Sequence, residues 1–228
     1  MPTLSYHAEW RPHAPADLPS CHATSYPARL RDGSTLILPL RPLPDGHRAI
    51  ALLMSNQTDF AIEREIIRLL TDMARELAPE VIVGVPTMGL AYARPVAENL
   101  GLDNYVALGH SRKFWYDEAL SEPLTSSTSP DLSKRLYLDP ALVERVRGKR
   151  VLIVDDVLNT GRTAAVATRL MHRAQAKVIG IMAVLTEGWA WQAELRKIGQ
   201  DAPDLVHALG HIPLFEREAQ GWRPIAGT

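Results

Sequence analysis

The chain has 228 residues, 46% of them apolar, and a formal net charge of −1. That is enough for one sizeable core, and the charge balance excludes a nucleic acid or anionic membrane held by bulk electrostatics. Cys21 is the single cysteine, which rules out an intrachain disulfide and a thiolate metal cluster.

Residues 1–30 carry Pro2, Pro12, Pro15, Pro19 and Pro27 without periodicity and are expected to be irregular. Residues 36–40 and 50–54 read as strands joined through the turn signal Pro44-Asp45-Gly46. Thr58 is placed to cap a helix reaching Ala78, with Ile62, Ile66, Leu69, Met73 and Leu77 as its apolar stripe. Residues 81–85 form a short buried strand, ended by Pro86-Thr87-Met88-Gly89. A second helix follows, with Leu90, Ala93, Val96, Ala97 and Leu100 at helical spacing and Gly101 as its stop. Residues 105–108 are another strand candidate.

From His110-Ser111-Arg112-Lys113-Phe114-Trp115-Tyr116-Asp117-Glu118 to Ser133 there is little periodicity and much Ser, Thr and Pro. A loop this long inside a compact domain is a closing lid or a solvated turn that Phe114 and Trp115 pack down.

Val151-Leu152-Ile153-Val154 reads as a strand buried on both faces, with Asp155 and Asp156 at its end. Thr160-Gly161-Arg162-Thr163 opens a helix in which Ala165, Ala167, Leu170 and Met171 face inward. A further strand covers residues 177–185. Trp189 and Trp191 follow it, and an irregular tail is expected through Leu205 to Phe215. Strands alternating with helices imply a parallel sheet with ligands at the carboxyl ends of its strands.

The loop after residue 154 describes its ligand. Free backbone N–H groups and a helix dipole favour a phosphate. Two carboxylates beside them repel a phosphate and suit sugar hydroxyls, or a Mg²⁺ that the ligand carries. The plain alternative is a surface turn capped by Thr160 and the acids.

Apolar strand, two acids, variable residues and Thr-Gly-x-Thr resemble the 5-phosphoribosyl-1-pyrophosphate (PRPP) signature of type I phosphoribosyltransferases, over roughly residues 60–190. The resemblance implies an α/β fold of that type: a central, mostly parallel sheet flanked by helices, with a small hood from N- and C-terminal segments. On that basis residues 1–228 are one domain. Its core spans about 56–188, its hood about 30–55 and 189–228, and residues 1–30 are irregular. The resemblance further implies a homodimer, and the absence of a leader or membrane-length apolar run gives a cytoplasmic expectation.

It also implies roles. Asp155 and Asp156 take the ribose hydroxyls directly or through water and Mg²⁺, so they are the indirect metal residues. Asn159, Thr160, Gly161, Arg162 and Thr163 hold the 5-phosphate, and Val157 is a further substrate-binding residue. Arg162 either adds charge there or faces solvent. Pro86, Thr87, Met88 and Gly89 form the pyrophosphate loop, although Met88 stands where adenine and orotate members usually carry Arg or Lys. Mg²⁺, Arg94, Arg112 or Lys113 must then supply charge. Arg112 and Lys113 are the catalytic cations, and Ser126, Ser127 and Thr128 can hydrogen-bond pyrophosphate.

Glu187 and Trp189 are base contacts, or else a surface loop acid and a hood core residue. The fifth motif position, an acid near purine N7 in 6-oxopurine members, is Asn159. The pattern is therefore most similar to the adenine branch. The implied activity is transfer of the phosphoribosyl group of PRPP to a purine base, adenine favoured, with release of pyrophosphate; Glu118 and Glu187 are the acids able to alter that preference. A PRPP- or nucleotide-binding regulator of the same fold, or a transferase for another base, is the alternative. The two-domain PRPP synthetases are longer than this chain.

Overall fold

The computed structural model describes residues 5–13, 19–124 and 134–228. The chain begins with β1 (Glu9–Arg11), β2 (Ser25–Arg29), β3 (Thr35–Pro42) and β4 (Arg48–Ala51). Next come α1 (Phe60–Leu77), β5 (Val81–Gly84), α2 (Leu90–Asn99), β6 (Val106–Ala107), β7 (Ser121–Leu124) and β8 (Lys134–Tyr137). The rest comprises α3 (Val143–Val146), β9 (Arg150–Leu158), α4 (Arg162–Arg173), β10 (Lys177–Glu187) and α5 (Ala190–Arg196), then β11 (Val206–Ile212), β12 (Phe215–Glu218) and β13 (Gly221–Pro224).

Five strands in the order β11-β10-β9-β5-β6 make a parallel sheet. The Val/Ile/Leu-rich runs of β5, β9 and β10 are buried because both faces are covered. On one face Ile62, Ile66, Leu69 and Met73 of α1 and Tyr92, Ala93 and Val96 of α2 pack with Leu152, Val154 and Met182. On the other, Ala165, Leu170 and Met171 of α4 and Trp191 and Leu195 of α5 pack with Val151, Ile153 and Ile181.

A second, antiparallel sheet, β1-β3-β4-β12-β13 with β2 also on β3, is built from both ends of the chain. This is the expected architecture: a mostly parallel sheet flanked by helices, with a smaller sheet of terminal segments. The two sheets are laced together where Leu30 bridges Gly210 and the Arg31 amide donates to the Leu209 carbonyl at 2.7 Å.

Several expectations need correction. Residues 1–30 are not wholly irregular: residues 9–11 and 25–29 pair with β3. Pro27 masked the second of these, and it fits because among the described residues β2 has β3 as its only strand partner, the edge position proline tolerates. The supposed irregular tail supplies β11, a fifth strand of the parallel sheet, although the hood assignment had placed it outside the core. His207, Gly210 and His211 interrupt its apolar pattern.

The aperiodic stretch after residue 109 contains an antiparallel hairpin, β7 with β8. The buried Glu122 anchors it through ion pairs to Arg169 and Arg173 of α4. Thr58 does not cap α1. Its hydroxyl donates to the Met54 carbonyl at 2.9 Å and lies 3.0 Å from the Tyr6 hydroxyl, and Asp59 occupies the N-cap without a side-chain bond.

Candidate active site

The acid pair is inside its strand, not beyond it. β10 continues to Glu187 and gives β9 a ladder partner as far as Leu158, opposite Thr186, with Asp155 opposite Ala183. Asp155 is consequently only 9% exposed. Burial, and then the charge of Asp156, push its carboxyl well above the usual carboxylate range. Burial raises Asp156 as well. The Asp156 amide donates to Asp155 Oδ1 at 2.9 Å. Two carboxyls held this way favour any ligand that brings donors or positive charge.

Beyond them the backbone turns into α4. Gly161 is the N-cap at φ +75°, a left-handed conformation that glycine adopts without strain. A Cβ there would also lie 2.8 Å from the Trp191 Cα, so α5 closes on this turn. Trp191 is fixed in turn by its Nε1, which donates to the Gly188 carbonyl at 3.0 Å. Asp155, Val157 and residues 158–164 line a cavity of about 110 Å³, the share of roughly three to four waters. The first-turn N–H groups of α4 have no intrahelical acceptor. Asn159 and Thr160 are exposed, while Arg162 and Thr163 are half-buried. The Thr160 hydroxyl is a distant 3.5 Å from the Arg162 amide, too long for a strong cap.

The loop after β5 lies directly against this strand. Gly89 is buried, Pro86 and Met88 are half-buried and Thr87 is exposed; the Pro86–Thr87 peptide is cis. A Cβ on Gly89 would come within 2.7 Å of the Val154 and Val85 carbonyl oxygens and 2.8 Å of the Asp155 Cα. The two loops named in the sequence thus share one wall. Arg94 is paired with Glu98 at 3.1 Å on an exposed helix face, and that engages one of the cations considered for this loop.

Sequence reasoning missed His110. Its Nε2 lies 3.0 Å from the Pro86 carbonyl oxygen, tying the start of the next segment to this loop. Two and three residues on, Arg112 pairs with Glu118 at 3.1 Å and Lys113 is exposed. Ser126, Ser127 and Thr128 lie outside the described residues.

Glu187 is not a surface loop acid. It ends β10, is 4% exposed, and is pushed up to about 7 by burial, against the opposing effect of a hydrogen bond from the Asn159 side chain. No ion pair to it occurs among the described residues. Nor is Trp189 a hood core residue: it is 46% exposed and its ring stacks on His211, 4.3 Å between centroids at 12°. Sequence gave no sign of the Glu187–Asn159 contact, because it joins the ends of two strands 28 positions apart.

A family model described as a phosphoribosyl transferase domain matches residues 57–198. The chain is 37% identical over 139 residues to an adenine phosphoribosyltransferase of Frankia alni, covering 60% of this chain and 67% of that protein. It is 37% identical over 125 residues to a hypoxanthine/guanine phosphoribosyltransferase of Methanosalsum zhilinae, covering 55% and 60%. Among solved structures it is similar to an adenine phosphoribosyltransferase from Thermoanaerobacter pseudethanolicus. That match has TM-score 0.55 and 19% identity, over 68% of this chain and 83% of that one.

Proposed function

We propose that this chain, which belongs to the phosphoribosyltransferase family, transfers the 5-phosphoribosyl group of PRPP to a purine, with adenine the favoured acceptor. The observation that carries the transferase activity is the shared wall: Gly89 of one loop packs on Val154 and Asp155, beside the cavity at the start of α4. A phosphate held by the N–H groups of α4, a ribose diol on Asp155 and Asp156, and a pyrophosphate over residues 86–89 then follow one another along one ligand.

The residues divide the work as orientation and charge stabilisation. Asp155 and Asp156 accept from the ribose hydroxyls. The backbone of residues 159–163 and the Thr160 and Thr163 hydroxyls hold the 5-phosphate. Backbone groups of Pro86–Gly89 face the leaving group, and Arg112 and Lys113 meet its growing negative charge.

Mg²⁺ fits this donor set. Two adjacent carboxyls that burial raises, with Asp156 raising Asp155 further, are relieved by a cation. Among the described residues no third His, Cys, Asp or Glu joins a metal-holding cluster, as suits an ion bound mainly by substrate phosphates. Asp155 and Asp156 would hold it, and it would neutralise charge on the pyrophosphate.

The preference for adenine within the purines rests on Asn159, which presents a neutral amide at the purine's N7 edge where a 6-oxopurine acceptor would call for an acid. The assembly we propose is a homodimer in the cytoplasm; no described helix is long and apolar enough to cross a membrane. Pyrophosphate release from PRPP with adenine, hypoxanthine, guanine and orotate tests the activity, and adenine should lead in kcat/KM. A PRPP-binding regulator is favoured by one observation, the uncharged Met88 with Arg94 engaged elsewhere. Such a protein binds PRPP and releases no pyrophosphate with any base.

A further inference from the structure

Glu118 stands where two arginines meet. Its Oε1 lies 3.1 Å from Nη1 of Arg112, and its Oε2 lies 3.6 Å from Nε of Arg135 on β8. A fixed frame sets the carboxylate. The Asp117 side chain accepts from the Ala119 amide at 2.9 Å and caps the short 3₁₀ turn Glu118–Leu120. The buried Ser121 donates its hydroxyl to the Glu118 carbonyl at 2.9 Å, and Arg135 donates to that hydroxyl at 2.7 Å. Arg173 of α4 donates to the Ala119 and Ser121 carbonyls at 3.0 and 3.1 Å. Arg112 lacks such a frame. Its side chain is 61% exposed, and Glu118 is its one ion-pair partner among the described residues.

The same arginine starts close to the loop after β5. His110 Nε2 lies 3.0 Å from the Pro86 carbonyl oxygen, and the two residues from His110 to Arg112 span at most about 7 Å of chain. We propose that Glu118 is a positioning residue that parks Arg112 against the β7–β8 hairpin, and that the pyrophosphate group of PRPP takes Arg112 from it. This deepens the assignment of Arg112 to the leaving group and rests on it.

The exchange costs little on either side. Arg135 stays beside Glu118 when Arg112 departs, so the carboxylate keeps a cation. An exposed ion pair holds weakly. A pyrophosphate presents more negative charge, and more oxygens, to the planar guanidinium fork than one carboxylate does. Arg112 is thereby kept near the loop but engaged until a ligand with that group arrives. A ligand without it leaves the pair closed.

The test is calorimetric binding, at low ionic strength with Mg²⁺ present, of PRPP, inorganic pyrophosphate and ribose 5-phosphate. The proteins are the wild type, Glu118→Gln, Arg112→Ala and the double variant. Both side chains are half open to water, so all four should fold alike. Glu118→Gln should bind PRPP and pyrophosphate about two- to fivefold more tightly than the wild type, with ribose 5-phosphate unchanged. In the Arg112→Ala background the same substitution should change nothing. The gain should fade by about 0.5 M salt. An equal gain in both backgrounds, or a gain for ribose 5-phosphate, means that Glu118 acts by its charge alone and overturns the parking role. No gain, or a loss, in Glu118→Gln overturns it too. If Arg112→Ala binds PRPP like the wild type, the leaving-group assignment of Arg112 falls, and this inference with it. A wild-type protein that binds no PRPP overturns the transferase reading itself.

Discussion

A Cβ added to Gly89 would lie 2.7 Å from the carbonyl oxygen of Val154. The loop after β5 therefore touches the backbone of β9 one residue before the acid pair, and neither side of that contact is a flexible side chain. Gly89→Ala must push the loop off the strand, at a cost of about 1–3 kcal/mol. The expected outcome is a lower melting temperature together with at least a tenfold loss of PRPP affinity. A variant with wild-type affinity would separate this loop from the pyrophosphate.

Asp155→Asn and Asp156→Asn should act on binding and stability in opposite directions. Losing charge-assisted bonds to the ribose, about 1.5–3 kcal/mol each, should weaken PRPP binding at least tenfold. The ligand-free protein should hold or gain stability, because each amide removes a carboxyl that burial already raises above its ordinary range. Calorimetric PRPP titration and thermal unfolding on the same samples check both signs.

Glu187 gives a stability signature of its own. Its carboxyl ionises at an ordinary value of 4.5 when unfolded and at about 7 in the fold. The stabilising contribution of the protonated form is complete below the unfolded value and is lost as pH rises through about 7. The unfolding free energy should drop across that window by up to about 3 kcal/mol, and the drop attributable to this residue should be absent from Glu187→Gln. Denaturant titrations at several pH values measure the difference.

Asn159→Asp restores an acid beside the purine's N7 edge. Acid–base help of this kind is worth about a hundredfold or more in rate, so kcat/KM for hypoxanthine should rise toward that of adenine. Unchanged hypoxanthine activity would place the base elsewhere.

Arg112 and Lys113 are exposed, and the Arg112–Glu118 pair is half open to water. Pairs of that kind contribute about 0–1 kcal/mol. Arg112→Ala and Lys113→Ala should therefore unfold like the wild type while losing at least tenfold in kcat.

The sheet and its helices were legible because α1, β5, β9, α4 and β10 each carry an unbroken apolar period that burial then rewards. The PRPP-like loop was legible because short contiguous residues build it. What escaped the sequence depends on partners far along the chain. Asp155 looked like a strand end until β10 proved long enough to continue the ladder past it. β11 was hidden by His207 and His211, whose side chains find their own contacts, His211 by stacking on Trp189 and hydrogen-bonding Thr186. Glu187 and Asn159 carry no joint local signal, since only the register of β9 on β10 brings them together.

Leu30 and Arg31, just after β2, tie the terminal sheet to β11 of the parallel sheet through the Leu30–Gly210 bridge and the Arg31 amide. The segment between Gly109 and Tyr137 is anchored separately from these sheets. These two residues exchange paired backbone hydrogen bonds of 3.0 and 2.8 Å and anchor its two ends to one another. The terminal sheet is thus tied to the parallel sheet through Leu30 and Arg31, and the aperiodic segment is closed at its own ends.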